Sequence, residues 1–196
     1  NKVTDMSYMF SSCRSLTSLD LKNFKTNNVK DMGYMFFADI GFISLSLQNF
    51  ETPNLLNLTH IFDSCSSLQR LNIEKITTSK VIDMSFAFAD CTALVAIDVS
   101  KFETSNVKNM QSMFSGCGKI TELDVSKFDT REVTDIANMF KLCSELTSLD
   151  VSNFRTDKVT SMAHTFEYLI KIRELNVRNF KTSNVEDFNS MFLECN

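Results

Sequence analysis

The stretch Val107-Lys-Asn-Met110-Gln-Ser-Met113-Phe114-Ser-Gly-Cys117 decides the fold. Its apolar residues fall at i, i+3, i+6, i+7 and i+10, which is the spacing of a short helix or 3-10 segment and not the alternation of a strand. Asn106 with Asn109, like Asn28 with Asp31, stands where a reciprocal N-cap would stand. Further along, Leu146-Thr-Ser-Leu149-Asp150-Val151-Ser-Asn-Phe154 alternates Leu149 and Val151 with polar neighbours, as a short half-buried strand does. A Phe-x-Thr turn then leads into the next Val-x-x-Met.

This unit repeats along the whole chain. Phe10, Phe36, Phe62, Phe88, Phe114, Phe140, Phe166 and Phe192 are 26 residues apart without exception, and Cys13, Cys65, Cys91, Cys117, Cys143 and Cys195 are separated by 26 or a multiple of it. Thr26, Thr52, Thr78, Thr104, Thr130, Thr156 and Thr182 form a third column. The series Phe24, Phe50, Ile76, Phe102, Phe128, Phe154 and Phe180 forms a fourth, and Val3, Val29, Leu55, Val81, Val107, Val133, Val159 and Val185 a fifth. About seven and a half copies follow one another with no insertion or deletion. A fixed period of this size means a repeat architecture, because neither short element can bury its apolar face without the next copy. The expectation is an α/β solenoid with one short parallel strand and one short helix or 3-10 segment per coil. Seven strands ~4.8 Å apart would extend over roughly 35 Å.

Composition agrees with one folded domain over 1–196. Of the 196 residues, 43% are hydrophobic and 22% charged, which excludes disorder, and 4 Gly with 1 Pro exclude linker-like sequence. No apolar run approaches the ~18 residues of a membrane helix, so no membrane insertion is expected. The net charge is −4 and the basic residues are scattered, which argues against nucleic acid. No signal peptide is visible. The pattern is cut off in mid-repeat at Asn1 and Asn196, as expected of a piece of a longer protein.

Met113-Phe114-Ser-Gly-Cys117-Gly-Lys-Ile120-Thr-Glu-Leu123-Asp124-Val125 resembles a leucine-rich repeat. More specifically, Phe102-Glu-Thr104-Ser-Asn-Val107 through Cys117 is similar to the BspA-like class, in the variant found in mycoplasma lipoproteins and some Gram-positive surface proteins. The resemblance covers the whole chain. It implies a curved solenoid, a cell-surface or extracellular location, and binding or adhesion rather than catalysis. It assigns no ligand-binding residue. Asp39 and Leu169 depart from it by standing at the Cys position.

The individual features read as follows. Parallel side chains on adjacent coils suit disulfides poorly, and with no CxxC and no nearby His a zinc site lacks ligands, so the Cys column reads as buried thiols. The Phe columns read as core. The Thr column reads as hydroxyls serving backbone groups at a turn, since an ice-binding face would need paired Thr columns and the partner here is Phe. Concave-face positions include Arg70, Asp98, Glu122, Asp124, Asp150, Glu174 and Arg178. Asp98, Asp124 and Asp150 would stack on one another; either each bonds a turn N–H, or the stripe recognises a cation or basic partner. One Asp per coil falls short of the 6–8 oxygens of a calcium site, so no metal is expected.

Phe37 stands where other copies have Ser11, Asp63 or Ser115, and Ile40 and Ile170 where others have Arg14, Ser66 or Ser144. Either these turns repack, with Ile entering the core slot, or they form apolar contact spots. His60 and His164 stand at variable surface-type positions. Asn57-Leu58-Thr59 matches a glycosylation sequon, a short and weak motif. No catalytic constellation or phosphate loop is present. The expectation is therefore a non-enzymatic binding module without cofactor, touching an extracellular or host protein or glycan. The alternative is a spacer or stalk presenting another domain. Apolar edges at an uncapped end coil would also favour end-to-end self-association.

Overall fold

The computed structural model describes residues 2–195. The backbone of each copy is one coil of a solenoid, and backbone hydrogen bonds tie it to the coils on either side. In the turn-rich run of the second coil, Met32 N donates to Asn57 O (3.2 Å), Tyr34 N to Thr59 O (2.9 Å), Phe36 N to Ile61 O (2.9 Å) and Ala38 N to Asp63 O (2.8 Å). The amides between them turn inward: Met35 N donates to Met32 O (3.2 Å), Phe37 N to Tyr34 O (3.1 Å) and Asp39 N to Phe36 O (3.2 Å).

This alternation corrects the expected helix or 3-10 segment, since the described residues contain no helix. Residues at i and i+3 are linked as in a 3-10 turn, so the apolar spacing is the same. In each coil, however, two residues take left-handed backbone, such as Tyr34 (φ 58°) with Ala38 (φ 56°), or Ser112 (φ 55°) with Gly116 (φ 74°). Positive φ at the third position of a tight turn reverses the chain instead of continuing a helix. Every second amide is thereby freed to reach the next coil. At Gly116 a Cβ would lie 2.2 Å from Asp90 Oδ1 on the coil before, so glycine gives the Asp90 side chain its room there.

Parallel strands form on the opposite side, but among the described residues only four coils carry one, not every coil as expected. Strands β1 (Ser44–Ser46) and β2 (Arg70–Asn72) pair in register Leu45↔Leu71, and β3 (Ser148–Leu149) and β4 (Glu174–Leu175) pair as Leu149↔Leu175. A third line of contact joins all eight coils through parallel bridges at Asp5, Asp31, Asn57, Asp83, Asn109, Asp135, Ser161 and Asp187. The Asn109 and Asp31 oxygens accept from the amides two residues on, Gln111 N (2.9 Å) and Gly33 N (2.7 Å), so they open turns and cap no helix.

The core follows the columns. Phe62, Phe88 and Phe114 lie nearly parallel, with ring centroids 5.7 and 5.5 Å apart, and each is buried. The Thr column is buried from Thr26 to Thr156 and exposed at Thr182, and its central members bond in both senses: Thr104 Oγ1 donates to Asp129 O (3.0 Å) and accepts from Asp129 N (2.7 Å). Cys65, Cys91, Cys117 and Cys143 are free and buried. Each Sγ donates to the Phe carbonyl of the coil before, Cys117 to Phe88 O at 3.1 Å for example. Burial pushes the Cys65 and Cys143 thiols up to about 12 and those of Cys91 and Cys117 well above their ordinary value.

Two outcomes follow from this packing. Phe114→Ala removes a ring stacked on both sides and should destabilise by ~3–5 kcal/mol in urea unfolding; a loss under about 1 kcal/mol would show that the column does not hold the coils together. Among the thiols, the exposed Cys13 should react first with a thiol reagent at pH 8 and half-buried Cys195 more slowly. Cys65, Cys91, Cys117 and Cys143 should be modified only after denaturation, and their labelling in the folded chain would contradict the buried ladder.

Candidate functional site

Two surfaces carry the non-repeating residues. On the strand face, Arg70 and Glu174 project outward from β2 and β4, and Asp98, Glu122, Asp124, Asp150 and Arg178 are all exposed. The Asp stripe is explained by local bonding. The amides of Ser100, Ser126 and Ser152 each donate to the Asp two residues before, at 2.9 Å. The Ser hydroxyls, and after them these amides, hold the Asp98, Asp124 and Asp150 carboxyls below the usual range. The same turn recurs at Asp20 with Lys22 N (3.0 Å), Asn72 with Glu74 N (3.1 Å) and Asn176 with Arg178 N (3.2 Å). Asp150 and Glu174 share a shallow groove with Ser148, Ser152 and Asn176. Arg70 lies three coils from Ser148 and takes no part in that groove. Among the described residues no group of His, Cys, Asp and Glu is arranged to hold a metal ion.

The turn face holds the feature that sequence reading missed. Tyr8, Tyr34, His60 and Phe86 occupy the first left-handed position of four successive coils (φ 57°, 58°, 53° and 56°). Their rings stack face to face with centroids 4.6, 4.3 and 4.4 Å apart and planes within 11° of parallel. Phe37 packs edge-on against Tyr34 (5.5 Å) and His60 (6.3 Å). His60 Nδ1 meets Asp63 Oδ2 at 2.6 Å, and Ser64 Oγ donates to Asp63 Oδ1 at 2.8 Å, which fixes the imidazole in the stack. Tyr8 is 59% exposed and the other rings are half-buried. The column ends at Ser112, then continues with Asn138, His164 and Ser190. Aromatic residues at 26-residue spacing were the available signal, but reading the copies one at a time hides it.

His164 has a different setting. Its Nδ1 meets Glu167 Oε2 at 2.7 Å, and Lys141 Nζ lies 2.8 Å from the same oxygen. Burial pushes the Glu167 carboxyl up, but Lys141 and His164 outweigh it and hold it below its ordinary value. Both histidines are thus tied to a carboxylate, and His60 also to neighbouring rings, so neither is an idle surface residue.

The apolar deviations separate. Phe37 is half-buried in the aromatic cluster, whereas Ile40 and Ile170 are 43% and 45% exposed. This corrects the repacking in which Ile enters the core slot. Asp39 and Leu169 themselves fill that slot, each fully buried. Ile40 and Ile170 lie five coils apart and form no common patch. At the sequon, Asn57 Nδ2 is held by Asp31 Oδ1 at 3.0 Å and Oδ2 at 3.2 Å, so the atom a glycan would occupy is already bonded within the ladder.

Comparison with known proteins agrees with this architecture. A sequence family described as "Mycoplasma protein of unknown function, DUF285" matches residues 1–71, 37–122, 56–168 and 115–196, which together span the chain. No curated protein matches. The leucine-rich repeat protein TpLRR of T. pallidum superposes with a TM-score of 0.53 at 23% identity, over 83% of this chain and 68% of that one. A leucine-rich repeat protein from Eubacterium ventriosum superposes with a TM-score of 0.59 at 17% identity, over 91% of this chain and 43% of that one. At such identities the likeness speaks for the fold alone, and the chain spans less than half of the Eubacterium protein. The match along the whole chain places it in the DUF285 family, whose repeats here build a solenoid of the bacterial leucine-rich repeat kind, BspA-like in its sequence.

Proposed function

We propose that this chain is a non-enzymatic binding module displayed at a cell surface, where it recognises a protein or glycan in adhesion. The observation that carries the proposal is the stack of Tyr8, Tyr34, His60 and Phe86 with Phe37 against its edge. Left-handed backbone costs a bulky residue of order 1 kcal/mol, and other coils fill the position with Ser112, Asn138 or Ser190. Stacking returns ~0.5–1.5 kcal/mol per ring pair. The result is a half-exposed aromatic stripe at one end of a scaffold whose inward columns barely vary. Tyrosine and other aromatics are the side chains that interfaces favour.

A spacer or stalk is the second reading. It is favoured by the Asp stripe, whose carboxyls are occupied by local turns, and by bonding ladders that continue over the whole length.

The two are separated by titrating the monodisperse chain against extracellular-matrix proteins, mucins and glycans at physiological salt. Saturable binding weakened at least about tenfold by Phe37→Ser, and unchanged by Asp124→Lys, is the expected result. Loss with Asp124→Lys instead would move the site to the strand face. No binding by the folded chain would leave the spacer reading.

A further inference from the structure

We infer that Asp39 is a proton-operated latch in the second coil: its slot favours a carboxylic acid that donates to the coil before it over the carboxylate. The slot belongs to the Cys column, where every other polar occupant described from Cys65 onward is a donor. Cys65 Sγ donates to Phe36 O (3.0 Å), Cys91 to Phe62 O (3.2 Å), Cys143 to Phe114 O (3.1 Å) and Cys195 to Phe166 O (2.9 Å). In each pair the carbonyl lies 29 residues before the thiol. The equivalent carbonyl for Asp39 is that of Phe10. A carboxylate has no hydrogen to give it, whereas a carboxylic acid has one.

The surroundings offer the ion little in exchange, the Cys13 backbone amide alone favouring it. Asp39 has 0% exposure, and neither carboxyl oxygen has a hydrogen-bond partner. Its neighbours in the column are the thiols of Cys13 and Cys65, on the coils to either side. No Lys, Arg or His among the described residues forms an ion pair with it. Leu169 fills the same slot five coils onward without any polar group, so the column tolerates an apolar occupant as well as a donor. A buried charge without partners is the costliest occupant of such a site.

Burial accordingly pushes the Asp39 carboxyl up to about 6, with only the Cys13 backbone amide pulling the other way. The folded chain therefore holds this proton more tightly than the unfolded chain does. The stability that the acid form contributes is complete below about pH 4 and is lost as the pH rises through about 6. This runs opposite to the Asp98, Asp124 and Asp150 carboxyls, whose lowered values favour folding at higher pH. A shift from mildly acidic to neutral surroundings would thus loosen the second coil, which carries Tyr34 and Phe37 of the aromatic stripe.

The test has two arms. In the unaltered 196-residue chain, carbon-13 NMR of the Asp39 carboxyl should give a midpoint of about 6; a midpoint in the ordinary range, below about 4.5, would overturn the latch. In urea unfolding, Asp39→Cys restores the column's own donor. The ratio of the unfolding constants of the original chain and Asp39→Cys should change about tenfold per pH unit between roughly pH 4.5 and 5.5, and level off above about 6.5. Parallel pH profiles for the two proteins would overturn the proposal. If Asp39→Cys does not fold, the NMR midpoint decides alone.

Discussion

The structure depends on where alternate backbone amides go. In the turn-rich run every second N–H reaches a carbonyl of the next coil, and the N–H between closes a turn within its own coil. Backbone groups have to be paired when they are buried, and a chain of turns leaves half of them unpaired unless another copy lies alongside. The coils are therefore bound to one another by the same accounting that shapes each of them. Left-handed residues make it work, because positive φ at Tyr34 and Ala38 and their equivalents turns the amide plane outward at regular intervals. No single copy has a complete set of hydrogen bonds, which is why the period runs without insertion: an extra residue would put every later donor opposite the wrong acceptor.

Stacking like on like then selects the side chains. A Phe column can stack on itself, as Phe62, Phe88 and Phe114 do. A Thr column can do so because a hydroxyl both gives and takes a hydrogen bond, and a thiol column because it needs only one carbonyl. A carboxylate column cannot, unless the charge is diluted or solvated. Both solutions are present. At the bridge line Asp31, Asn57, Asp83, Asn109 and Asp135 alternate, and Asn57 donates to Asp31 across the gap. On the strand face the Asp residues stay adjacent but remain exposed and are bonded to their own Ser.

The sequence showed the solenoid and its core because those depend on columns, and columns survive in the residue types. The parallel strand was legible in part from Leu149-Asp150-Val151, of which only Leu149 lies in it. Helix and serial turns were not distinguishable, since both bring i and i+3 together and differ only in the sign of φ at residues as ordinary as Ser112. The strand-face stripe was legible as Asx turns, whose bonds the structure shows at Asp98, Asp124 and Asp150. The aromatic stack was less visible because its four members mix Tyr, His and Phe, and chemistry shared across residue names is harder to see than a repeated letter. The exposure of Ile40 and Ile170 was unreadable, since it turns on whether the preceding residue can be buried in the slot, and Asp39 contradicts the usual preference of carboxylates for water.

The one-way bonding of the turn face has an electrical consequence. From Met32 to Ala38 and in the equivalent runs the inter-coil amides point toward higher residue numbers and their acceptors toward lower ones, outnumbering the backward bonds of the adjoining bridge line, such as Leu56 N to Lys30 O. Peptide dipoles aligned in this way add, as they do in a helix, but along the solenoid axis and across separate coils. On the strand face the sense alternates, with Leu47 N donating forward to Asn72 O and Gln69 N donating back to Ile43 O, so the contributions there largely cancel. The turn face therefore has a carbonyl pole toward the coil of Tyr8 and an amide pole toward the later coils. A charged group passing along that face would meet a directional field even where the side chains are neutral, which makes the two senses of the axis electrostatically distinct.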